Sequence, residues 1–133
     1  MILTYASQRD YDEMAGKPGN DPVWTGEDFA AMGAFMTKFN QDLEASGELV
    51  ETRALGAPVH TRRIGGVPAL VTDGPYAETQ EVLAGYWIVD VDSFDRATEI
   101  AARLGECPAP SSVATTAYAD VRPIIDSADE IGL

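Results

Sequence analysis

Asp73 ends a β-branched run, Val71-Thr72, and is followed by Gly74-Pro75-Tyr76. A carboxylate placed there can project into a cleft and act as general base or acid, provided burial raises its pKa. The same residue can instead bond the amides of its own turn, with Gly74 taking a positive φ and Pro75 fixing the exit. His60 is the single histidine. It suits proton transfer near neutral pH, although Arg62 and Arg63 beside it would lower its pKa by repulsion. Those two arginines stand out among nine basic residues. Adjacent strand residues face opposite ways, so only one of them can point into a given cleft and hold a ligand carboxylate or phosphate. The alternative use of the pair is to protect an edge strand by charge. Tyr5, Tyr76, Tyr86 and Trp24 supply rings, with Trp87, for a ligand pocket or for packing.

Other chemistries find less support. Cys107 stands beside Pro108 with no histidine nearby in sequence, which removes the usual way of activating a thiol. Neither Gly65-Gly66 nor Gly74 is followed by Gly-Lys-Ser/Thr, so no phosphate loop is expected. One histidine, one cysteine and dispersed carboxylates predict no transition-metal site, and no cofactor is expected. Asp10, Asp12 and Asp21 offer a weak carboxylate-only calcium or magnesium site.

The elements that must position these residues follow from periodicity. Met1 to Ala6 reads as a strand, and Ser7 to Trp24 as a long polar loop, either a lid or a mobile segment. Thr25 caps a helix, with Asp28 closing a weak capping box. Phe29, Met32, Met36, Phe39 and Leu43 give that helix one apolar face, and Gly47 ends it. Glu48 to Ala54 is a strand. His60 to Ile64 and Val67 to Thr72 flank Gly65-Gly66 as a hairpin. Ala84 to Val91 is the strongest strand, with Tyr86, Ile88 and Asp90 on one side and Trp87, Val89 and Val91 on the other. Asp92 or Ser93 caps a second helix, whose face is Phe94, Ala97, Ile100, Ala101 and Leu104 and whose end is Gly105. Val113 to Ile124 holds the last strand, and the tail from about Asp126 reads as loosely held. The order is ferredoxin-like, βαββαβ with an inserted β-hairpin, in one α+β domain over 1–133. Two helices cover one face of such a sheet, and the other face calls for a partner.

The run Val71-Thr72-Asp73-Gly74-Pro75-Tyr76-Ala77-Glu78-Thr79 resembles the YCII-related proteins, in the branch named after an Asp-Gly-Pro-Phe (DGPF) motif, with Tyr76 in place of the Phe. The likeness continues through Gln80-Glu81 and Ala84-Gly85-Tyr86-Trp87-Ile88-Val89-Asp90-Val91, and more loosely from Met1 to about Pro123. It implies a dimeric α+β barrel, in which two sheets close face to face. It also implies a regulatory association, because relatives with this motif are often found beside extracytoplasmic-function sigma factors. Some relatives are proposed to use a histidine on the first helix paired with an aspartate. Met36 occupies that histidine's position here, so a His–Asp dyad does not carry over.

The chain has 133 residues and 45% hydrophobic residues, which suits one folded domain. A net charge of −13 argues against nucleic acid and against anionic membrane surfaces. No apolar run approaches a membrane span, and the start lacks the basic region of a secretory leader, so the cytoplasm is the default location. The leading expectation is a homodimer that binds a small molecule or a regulatory protein. The alternative is a cofactor-independent acid–base enzyme with Asp73 as base and Arg62 or Arg63 as anion holder.

Overall fold

Strand pairing follows from which residues need a dry environment. In the computed structural model, which describes residues 1–17 and 23–131, β1 (Ile2–Ala6) lies at the centre of a four-stranded sheet. It pairs antiparallel with β5 (Val82–Val89) on one side and with β6 (Ala119–Val121) on the other. β2 (Leu49–Ala54) completes the sheet beyond β5, also antiparallel. The spatial order β2-β5-β1-β6 is that of a ferredoxin-like α+β fold. A separate two-stranded hairpin, β3 (Arg62–Gly65) with β4 (Leu70–Asp73), is inserted between β2 and β5.

The helices form where the capping chemistry places them. The Thr25 hydroxyl accepts from the Asp28 amide and the Asp28 carboxylate accepts from the Thr25 amide, so α2 (Gly26–Ser46) starts with a reciprocal box. Gly47 ends it in the left-handed conformation, φ 77°, which places the Glu48 amide 3.0 Å from the Leu43 carbonyl. Ser93 caps the helix Phe94–Leu104, called α3 here. Both helices lie on one face of the sheet. Phe39, Leu43 and Ile100 from the helices and Ile2 from β1 are essentially inaccessible, and Trp87 of β5 joins them. Trp87 meets the Phe39 ring edge-on at 5.8 Å and donates its indole N–H to Asn40 at 2.8 Å. The one polar atom that its burial would strand is thereby satisfied.

Two ion-pair sets tie the layers. Arg96 of α3 forks onto Glu48, at the entry to β2, through two bonds of 2.8 Å. Ser46 donates to the same carboxylate at 2.8 Å. Arg103 of α3 reaches Asp42 of α2 at 3.0 Å, while its guanidinium lies 5.3 Å from the centre of the Phe39 ring. The forked arginine, then Ser46, hold the Glu48 carboxyl down at about 2.

Several expectations need correction. Ser7 to Trp24 is not all loop: α1 (Gln8–Met14) occupies part of it, capped by Ser7 and Asp10 in the same reciprocal box as α2. With only two turns, it is too short to show an apolar period. Pro18, Gly19, Asn20, Asp21 and Pro22 lie outside the described residues. His60 belongs to a 3₁₀ turn, Pro58–His60, and not to a strand, because Pro58 starts a turn closed by the Thr61 amide. The hairpin's last pair is Gly65 with Leu70, so its loop has four residues and not two. The Pro68 nitrogen cannot join a ladder. The β5 strand starts and stops two residues before the expected Ala84 to Val91. The α3 helix does stop at Gly105, but with φ near −63° and successive i to i−3 bonds, not with a left-handed cap. The expected last strand, Val113 to Ile124, is mostly something else. A short helix, α4 (Ser111–Ala114), and its hydroxyl-bonded end at Thr115 and Thr116 come first, which leaves three residues for β6. Phe29 is not core; it stacks on Trp24 at 5.1 Å outside it. Phe35 packs against the core in its place.

Two predictions follow from this packing. Phe39→Ala removes the ring that joins both helices to the sheet and should cost about 3–5 kcal/mol in urea unfolding. The Glu48 pKa is lower in the folded state than its ordinary value of 4.5, so the pair contributes fully above that pH and is lost as pH falls toward about 2. Glu48→Gln should therefore melt below wild type at pH 7, with the gap narrowing steadily as pH falls from 4.5 to 2.5. A pH-independent gap would show that the carboxylate's charge is not what the pair contributes.

Candidate functional site

The face of the sheet opposite the helices is built by alternation. Ile2, Trp87 and Thr52 form one cross-strand row on the helix side, and the next row, Arg53–Tyr86–Leu3–Asp120, crosses all four strands on the open side. A bulge at Val50 sets this arrangement on the outer strand. Leu49 pairs with Val89 and packs against the core, whereas Glu51 pairs with Ile88. The extra residue allows both side chains to face their proper environments. A second irregularity sets Tyr5 opposite Leu83.

Three phenols on this side end on carboxylates. The Tyr86 hydroxyl donates to Glu51 at 3.0 Å, and Arg53 approaches the same carboxylate at 3.5 Å. Tyr118 donates to Glu81 at 2.6 Å, and its ring stacks on Tyr5 at 5.3 Å. The Tyr5 phenol lies near the Asp120 carboxylate. Each carboxylate raises its phenol's pKa, since a phenolate would face the carboxylate's charge: Tyr5 and Tyr86 move up, and Tyr118 is pushed up to about 12. The three hydroxyls are therefore donors near neutral pH, and the carboxylates are held in place with lone pairs to spare. Such an array can orient a hydrogen-bonding group placed against it.

A second cluster joins α1 to the segments on either side of the inserted hairpin. The Gln8 side chain accepts from the Val59 amide at 2.8 Å and donates to Asp12 at 2.9 Å. Tyr11 donates to the Leu55 carbonyl at 2.8 Å, and the Arg9 amide bonds the Glu78 carbonyl at 3.0 Å. A cavity of about 210 Å³ lies among Gln8, Tyr11, Asp12, Lys17, Val59 and His60. Gly74, at φ 54°, bonds the Thr61 carbonyl through its amide. A residue with a Cβ would be strained in this left-handed conformation.

The residues singled out in the sequence fall into separate places. Tyr5 and Tyr86 lie on the open sheet face. His60 borders the small cavity and is exposed. Asp73 ends β4 with its side chain 82% exposed, 3.5 Å from Arg62. Arg63 points the other way, its guanidinium 5.2 Å from the centre of the half-buried Tyr76 ring. Trp24 stacks on Phe29 at the start of α2. Met36 sits half-buried against the core. Burial pushes the Cys107 thiol up, away from reactivity. Asp10 closes the α1 cap and Asp12 holds Gln8 and Lys17, while Asp21 lies outside the described residues. Among the described residues, no three His, Cys, Asp or Glu side chains are grouped to hold a metal. Among them, too, no helix is long and apolar enough to cross a membrane.

Glu51, Glu81, Tyr118 and Asp120 were missed by sequence reasoning. A signal existed for one of them: Glu51 alternates with Arg53 on a strand beside Tyr86's strand. Asp120 and Tyr118 were hidden by the overlong last strand, which left their facing undefined. A search of the curated proteins found no match. The family model for the YCII-related domain matches residues 1–123. That match spans the sheet, both long helices and the inserted hairpin, and the chain belongs to the YCII-related family.

Proposed function

We propose that this YCII-related protein is a homodimer that binds a small organic cation between two apposed sheets. The observation that carries the reading is the open face itself, with three tyrosine rings beside Glu51, Glu81 and Asp120. Carboxylates with free lone pairs accept from an ammonium group, and aromatic rings attract it. Leu3 and Ile88 on the same side make a second copy the natural cover, because sheets close on each other through such mixed faces. The Asp73-Gly74-Pro75-Tyr76 turn supports placement in the DGPF branch. A regulatory role next to a sigma factor fits a binder that responds to a metabolite. The acid–base alternative needs a buried Asp73, and the protomer alone supplies no burial there.

Light scattering at micromolar concentration should give twice the chain mass. In thermal melts, a panel of putrescine, choline and arginine should contain a ligand that raises Tm by about 4 °C at ten times its Kd, while succinate does not. Tyr86→Phe together with Glu51→Gln should remove that rise and keep the fold. A rise that survives both changes would move the site elsewhere.

Asp73→Asn should change the melt by less than about 1 kcal/mol, as for an exposed ion pair, and leave the amine response intact. Loss of a ligand response or of a turnover in that variant would favour the carboxylate chemistry instead.

A further inference from the structure

The β3–β4 hairpin is unusual in being apolar and uncovered at once. All eight of its strand residues are exposed. Ile64 and Leu70 are each 69% exposed and Val71 is 63% exposed, with Val67 at the tip fully so. An isolated two-stranded ribbon is marginal in water, and an apolar one invites a partner. It also carries Arg62 and Arg63, two of the nine basic residues in a chain of net charge −13.

At the opposite end of the sheet lies an open groove of about 640 Å³. Val50, Ile88, Phe94 and Ile124 make it apolar, and Asp90 and Asp92 make its rim acidic. Its remaining charges are Asp126, Arg122 and the Met1 ammonium, which donates to the Arg122 carbonyl. The hairpin leaves the sheet between Ala54 of β2 and Val82 of β5, whereas the groove opens where β5 ends at Val89. The eight residues of β5 set the two sites about 23 Å apart at ~3.3 Å per residue, and the Gly74–Thr61 and Val59–Gln8 bonds hold the hairpin's base at the far end, so its four-residue strands fall short. The hairpin cannot reach its own groove. A two-fold axis across the strands brings each hairpin to the other copy's groove, and every contact then occurs twice.

We propose that the hairpin of each protomer docks in this groove of a second copy, its valines and leucine on Val50, Phe94 and Ile124, and its arginines against Asp90 and Asp92. The proposal rests on the homodimer reading and assigns it a second contact. It would also give so acidic a chain a complementary contact, since the arm carries two arginines against one acid, Asp73.

The test uses full-length chain in a Cys107→Ser background. Val67→Cys and Phe94→Cys in the same chain should give an oxidised dimer on a non-reducing gel, and neither change alone should. Arg62→Glu with Arg63→Glu should weaken the dimer at least about tenfold by light scattering across a dilution series, with an unchanged circular dichroism spectrum. Adding Asp90→Arg and Asp92→Arg should restore it. A wild-type dimer that neither cross-links nor responds to charge reversal would overturn the docking and leave the dimer standing. A wild-type monomer would sink both.

Discussion

One backbone, β5, has to serve two different environments, and the rest of the fold is arranged around how it does so. Trp87 must be dry and Tyr86 must find a carboxylate, one residue apart. The two-residue repeat of a strand is the physical device that allows it. Once Trp87 is fixed on Phe39 and Asn40, Tyr86 has only the other side to face. The pairing partners inherit the choice. Ile2 and Thr52 follow Trp87, while Leu3 and Arg53 follow Tyr86. A slip of β5 by one residue would turn Tyr86 against the helices and Trp87 to the open side.

The bulge at Val50 shows how strictly this rule is enforced. Leu49 and Glu51 would share a side in a regular strand, although one is apolar and the other polar. The chain inserts an exposed valine between them and lets each side chain keep its own solvent. The Arg96–Glu48 fork then fixes the entry to that same strand. The irregularity and the ion pair together hold the outermost strand in register, and with it Glu51, the acceptor for Tyr86.

Much of this was legible in the sequence where a pattern was long. The α2 helix announced itself by its cap, stripe and terminal glycine, and the two faces of β5 by strict alternation. Short elements were not legible. The α1 helix has the same cap chemistry as α2 but only two turns, and no stripe can form in that length. Near β6, Val113 and the following Thr and Ala residues suit a strand by propensity, yet hydroxyl bonds to nearby carbonyls turn them into a helical end. The candidate site was read in halves. Tyr5 and Tyr86 were visible as rings, but the carboxylates that give them a chemistry come from β2, β6 and the approach to β5, and only the register brings those together. The Asp-Gly-Pro turn stood out by residue type and proved to be a junction: it carries the chain from the hairpin back to β5, with the Gly74 amide bonded to the Thr61 carbonyl.

The central position of β1 has a consequence for how the molecule is made. Its two neighbours in the sheet are β5 and β6, some eighty and more than a hundred residues further along the chain. The Arg122 amide bonds the Met1 carbonyl at 2.9 Å, so the two far ends of the matched domain are stitched edge to edge. A chain emerging from the ribosome can form α2 early, but β1 has no strand to pair with until most of the sequence has been synthesised. Folding is then dominated by non-local closure, which is slow compared with local helix formation. During that interval β1 and the apolar side of α2 are exposed together, and they constitute the segment for which a holding chaperone would have the longest opportunity to bind.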